Sequence, residues 1–93
     1  MEIETPDRTG DKSKKLEIKQ ILEDLTKRLV DNPDELQITM NEGDQTVVYE
    51  LRCAKHEIGK VVGKKGSMAE ALRTILKSLS AKARIRAILE ICD

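Results

Sequence analysis

The tightest constraint on how this chain can fold lies at Gly63-Lys64-Lys65-Gly66, where two glycines enclose two lysines between stretches of helical period. Upstream, Lys55 to Val62 reads as a short helix with Ile58, Val61 and Val62 facing inward. Downstream, Met68, Leu72, Ile75, Leu76 and Leu79 recur at three- and four-residue steps, with Glu70, Arg73 and Lys77 outside. Ser67 followed by Glu70 predicts a capping box that starts the second helix directly after the glycines. Glycine permits positive φ and leaves room for another backbone to approach. The loop also feeds a helix N-terminus, whose unpaired N–H groups and positive dipole end favour phosphate. Lys64 and Lys65 add two mobile charges there, which makes a clamp for a sugar-phosphate backbone that reads no base. The same four residues would also serve as a plain helix–helix turn with solvated lysines.

The flanking periods frame that loop. From Lys15 to Val30, Leu16, Ile18, Ile21, Leu22, Leu25 and Leu29 form one helical stripe, with Ser13 as the expected N-cap and Asn32-Pro33 as the stop. Leu36, Ile38 and Met40 alternate with polar residues, as do Val47, Tyr49, Leu51 and Cys53, on either side of a turn cluster at residues 41–45. These predict a hairpin. Ile85, Ala87, Leu89 and Ile91 give a third strand. The expected order is α-β-β-α-α-β, an α+β sandwich of one sheet against helices. Residues 1–14 are polar with one Pro and one Gly, and we expect a flexible tail there, with the domain occupying 15–93.

Several function classes drop out. Only three residues lie between Gly59 and Gly63 and Gly63-Lys64 is followed by Lys65, so the spacing of a nucleotide-triphosphate loop fails. Tyr49 is the only aromatic, which removes readers that stack bases on aromatic platforms; its phase makes it a core residue. Cys53 and Cys92 fall on opposite strand phases and His56 is the only histidine, so neither a bridge nor a zinc site is expected. No histidine, cysteine or serine constellation suggests catalysis, and the expectation is no catalytic residue, no metal and no cofactor. No apolar run approaches the roughly 18 residues of a membrane span, and Met1-Glu2-Ile3-Glu4 lacks a basic n-region, which gives a cytoplasmic expectation.

Seventeen basic residues balance seventeen acidic ones, and a neutral total argues at first against a nucleic-acid partner. The distribution reverses that. Residues 1–54 carry 8 basic and 13 acidic side chains, whereas residues 55–86 carry 9 basic and only Glu57 and Glu70 as acids. The positive segment contains the glycine loop and both helices beside it. Lys60 lies one turn before the loop and Arg73 about two turns after it, within reach of a backbone held there, and Lys82, Arg84 and Arg86 cluster near the last strand.

A Gly-x-x-Gly loop between two helices resembles the signature of the KH RNA-binding domain. Val61-Val62-Gly63-Lys64-Lys65-Gly66 is similar to its hydrophobic-hydrophobic-Gly-x-x-Gly core, and a helix and strand placed before a β-α-α-β unit looks like type II, the bacterial form. Asp31-Asn32-Pro33-Asp34-Glu35, Glu50-Leu51-Arg52, Ala71-Leu72-Arg73-Thr74 and Leu89-Glu90-Ile91 narrow the resemblance to the small single-KH proteins called KhpA. It spans Leu16 to Asp93. The resemblance implies a three-stranded mixed sheet packed against three helices, with the Thr46–Cys53 strand central and the last strand parallel to it. It implies a groove for about four unpaired nucleotides. In it Gly63, Lys64, Lys65 and Gly66 hold phosphates, and Ile58, Val61 and Val62 partly line an apolar floor while most of their surface is core. The function it implies is non-catalytic binding of single-stranded RNA, as a post-transcriptional regulator or RNA chaperone. The alternative is a protein-interaction or dimerisation adaptor that keeps the KH fold. The partners implied are RNA, a second copy as homodimer, and a larger KH-containing protein.

Overall fold

The sheet decides where the other elements go. In the computed structural model, which describes residues 7–92, the strands β1 (Gln37–Glu42), β2 (Val47–Arg52) and β3 (Ala87–Cys92) lie in that order across the sheet. β1 and β2 are antiparallel, with Met40 opposite Tyr49, and Gly43 N–H closes the turn by donating to the Thr46 carbonyl at 2.8 Å. β2 and β3 are parallel, with Tyr49 opposite Leu89. Parallel neighbours need a long crossover. It is supplied by a 3-10 turn at Lys55–Glu57, α2 (Ile58–Val62), a second 3-10 turn at Lys64–Gly66 and α3 (Ser67–Ala83), while α1 (Asp7–Lys27) precedes the sheet. The result is the expected α+β fold: a mixed three-stranded sheet against three helices, in type II KH order.

Period-two alternation gives the sheet one apolar face. Ile38, Val47, Tyr49, Leu51 and Leu89 are buried on it, and the helices lay Ile18, Leu22, Val61, Leu72 and Leu76 over them. Tyr49 sits at the centre with no exposed surface, and its hydroxyl donates to the Lys15 carbonyl at 2.8 Å, which ties α1 to the middle strand. Burial, with the Glu42 charge adding to it, pushes that phenol up to about 12. Two buried hydroxyls face helix packing without orphaned groups: Thr26 donates to the Leu22 carbonyl and Ser80 to that of Leu76.

Three local expectations change. α1 begins at Asp7, inside the segment read as a tail, and Ser13 is an interior residue rather than its N-cap. A formed helix adds one hydrogen bond per residue without needing an apolar face, and no proline stands between Asp7 and Asn32 to stop it. Residues 1–6 of the expected tail lie outside the described residues. At α3 the N-cap is Gly66 in left-handed geometry, Ser67 is already helical, and no side chain caps the end, so the capping box does not form. The helical stripes are also narrower than their hydrophobicity suggests: Leu16, Ile21, Leu25 and Ile75 are each more than a third exposed. The sheet receives only one edge of each helix, and these residues fall on the flanks.

Candidate functional site

The crossover places the glycine loop at one end of α2 and α3. Gly63 stands at φ 79°, ψ 174°, Lys65 at φ 56°, ψ 28° and Gly66 at φ 77°, ψ 10°. A Cβ at Gly63 would lie 2.6 Å from the Met68 Cβ and 2.7 Å from its backbone nitrogen, so the chain passes over itself where only glycine fits. Gly66 has nothing within 4 Å of a Cβ, and its requirement is its left-handed backbone alone. Lys64 and Lys65 are exposed, and neither joins an ion pair among the described residues.

Opposite the loop is the free edge of β3. Val47 N–H donates to the Arg86 carbonyl at 2.9 Å, and in a parallel ladder both groups of one residue point the same way. Even-numbered residues of β3 therefore face β2, and Ala87, Leu89 and Ile91 turn their backbone groups outward. Arg73 meets that edge: its Nε and Nη2 both donate to the Leu89 carbonyl at 3.3 Å. A groove of about 410 Å³ runs between loop and edge. Ile58 and Val62 from α2, Ala69 from α3 and Ile91 from β3 supply its apolar surface, and Lys65, Gly66, Glu70 and Arg73 its polar rim.

Not every expected site residue gathers there. Val61 is corrected outright: it has no exposed surface and belongs to the core, because α2 turns it toward Leu72 and Leu76 while Ile58 and Val62 turn outward. Lys60 is also absent from the groove. Its Nζ lies 2.6 Å from Asp31 Oδ2 and 3.7 Å from Glu57 Oε1, an ion pair to the segment after α1. That hydrogen bond holds the Asp31 carboxyl below its ordinary range and raises the Lys60 ammonium. Gly63 and Lys64 flank the groove without lining it. Ala69, Glu70 and Ile91 line it and were missed, although Ala69, Glu70 and Arg73 follow Gly66 at helical spacing.

Glu57 explains how so short a helix as α2 is held. The residue has no exposed surface, yet both oxygens are satisfied: one accepts from the Asp31 N–H, the other from the Asn32 N–H at 2.9 Å. Burial pushes this carboxyl up, but the two backbone donors, with Lys60 beside them, outweigh burial and leave it below the usual value of 4.5. A depressed carboxyl contributes stability above its unfolded-state pKa and loses it as pH falls through the folded one. Glu57→Gln is thus expected to melt well below the parent at pH 7, with the gap closing in acid below pH 4.5. Thermal melts of both proteins across that range check it, and a constant gap would refute the ionised cap.

The chain is similar to known proteins over most of its length. A family model described as KhpA/KhpB, KH domain, matches residues 19–91. A protein of Aquifex aeolicus named RNA-binding protein KhpA is 49% identical over 76 residues, covering 82% of this chain and 96% of its own. One of the same name from Clostridium acetobutylicum is 43% identical over 74 residues, covering 80% of this chain and 99% of its own. Among solved structures, Aquifex aeolicus Era bound to GDP.AlF4- superposes with a TM-score of 0.58 at 19% identity. The match covers 98% of this chain and 32% of that one, and carries the likeness of fold alone.

Proposed function

The chain belongs to the KhpA/KhpB KH-domain family, and on that premise we propose that it binds a short single-stranded RNA segment without catalysis. The observation that carries this reading is the groove itself, with a glycine-bent, doubly basic loop on one side and an outward-facing strand edge on the other. The pull on phosphate comes from the lysines, since within the loop the Gly66 N–H already donates to the Gly63 carbonyl at 3.1 Å and the Ser67 N–H to that of Lys64. Phosphates lie at Gly63–Gly66 with Lys64 and Lys65 over them, and bases lie across Ile58, Val62, Ala69 and Ile91. Arg73 has N–H donors left after serving Leu89, and they face the same groove. Lys60 acts in this scheme through the Asp31 pair rather than on RNA. The role is that of a post-transcriptional regulator or RNA chaperone in the bacterial cytoplasm.

Amide shifts of the labelled protein titrated with a short single strand, and separately with a duplex of the same sequence, test the proposal. Ile58, Val62, Gly66 and Ile91 are expected to move with the single strand and not with the duplex. Shifts confined to other faces would remove the groove from the function. A second reading, pairing with another copy or with a larger KH protein, draws on the apolar residues left outside the core. Ile21 and Leu79 border a cleft between α1 and α3, and that cleft shares no lining residue with the groove. Mass measurement in solution with and without RNA tests it.

A further inference from the structure

Among the described residues Glu70 is the one acid that lines the groove, and its presence there is unexpected for a surface that attracts phosphate. It sits in the first turn of α3, where the positive helix end favours a carboxylate. Arg73, three residues on, would ordinarily pair with it across the helix surface. Instead Arg73 Nε and Nη2 are drawn to the Leu89 carbonyl, and among the described residues Glu70 has no ion pair. An exposed carboxylate thus lines the space where a base would lie, beside Ala69 and across from the Ile91 edge.

Resting on the RNA reading above, we infer that Glu70 is a specificity residue that makes the groove prefer a base bearing an exocyclic amine over uracil. A carboxylate accepts hydrogen bonds and donates none. Cytosine and adenine present an amine at N4 or N6, which is the donor a carboxylate recognises. Uracil instead presents two carbonyl oxygens flanking a single N–H, so one oxygen faces the carboxylate and both lose water without a partner. Phosphate is repelled from the same spot, which keeps the backbone at the lysines and turns the bases inward.

The test is fluorescence anisotropy with six-nucleotide cytosine, adenine and uracil oligomers, using the parent chain, Glu70→Gln and Glu70→Ala. The parent is expected to bind the cytosine and adenine oligomers about tenfold more tightly than uracil. In Glu70→Gln, whose amide both donates and accepts, uracil binding rises and the ratio falls toward one. Glu70→Ala gives the same levelling by removing the carboxylate. Thermal melts confirm that each variant remains folded. A ratio unchanged in both variants overturns the inference, including the case where all three oligomers gain equally from the lost negative charge. Parent chain that binds no oligomer overturns the RNA reading and this inference with it; binding with an unaltered ratio overturns this inference alone.

Discussion

Changing Lys64 and Lys65 together to Asp is expected to weaken RNA binding about a hundredfold at low salt and to flatten its salt dependence. Each phosphate neutralised on a single strand contributes roughly −0.7 to the slope of log affinity against log salt. Two such contacts make a slope of about −1.4, so a rise from 50 to 200 mM salt costs the parent about sevenfold through these lysines alone. The double variant lacks that component and adds like-charge repulsion, and together they make up the whole loss of about 2.7 kcal/mol. The fold tolerates the change. Both side chains are exposed, and Asp accepts the left-handed backbone at position 65 at least as readily as Lys. Affinity measured at two salt concentrations decides the matter: an unaltered affinity and slope in a folded variant would falsify the clamp.

The two loop glycines are expected to fail in different ways. Gly63→Ala forces a side chain into a backbone region that glycine alone occupies, and drives its Cβ into Met68. Strain and overpacking each cost about 1–3 kcal/mol, so a loss of about 3–4 kcal/mol is expected, or a fall in Tm of roughly 15–25 °C. Met68 cannot yield easily because it packs against the core and its contacted atoms are at and beside the backbone. Gly66→Ala meets open space and costs about 1–2 kcal/mol through its left-handed φ. Gly66 lines the groove, so its added methyl group acts on binding more than on stability. Equal melting temperatures for the two variants would contradict this division.

Which parts of this molecule could be read from sequence follows from how far apart the interacting residues stand. The strands and α3 are short-range patterns, and the phase of Tyr49 and Leu51 states which sheet face is buried. The loop glycines are likewise local. Phase fails where two inward positions have different destinations. Val61 and Val62 both read as inward, but α2 sends the first to the core and the second to the groove. Glu70 reads as solvated because its surroundings include Ile91, placed there by the crossover. Lys60 reads as a backbone contact and Glu57 as one of two acids in a basic segment because their partners Asp31 and Asn32 lie 25 or more residues back. The start of α1 was misplaced for the opposite reason, since helix propagation needs no pattern at all.

The Glu57 bridge bears on the modularity of the fold. The β-α-α-β stretch contains every groove residue, which invites its use as a portable module. Yet α2 has five residues, well below the length at which a helix persists unaided. One of its anchors, the carboxylate at its entry, takes its hydrogen bonds from amides that precede β1. Excising residues 46–92 would leave that carboxylate buried against nothing or released to water, and with it the orientation of Ile58 and Val62. The helix-and-strand extension before the minimal unit is therefore part of the binding surface's foundation, and a graft of this groove onto another scaffold has to carry Asp31 and Asn32 along.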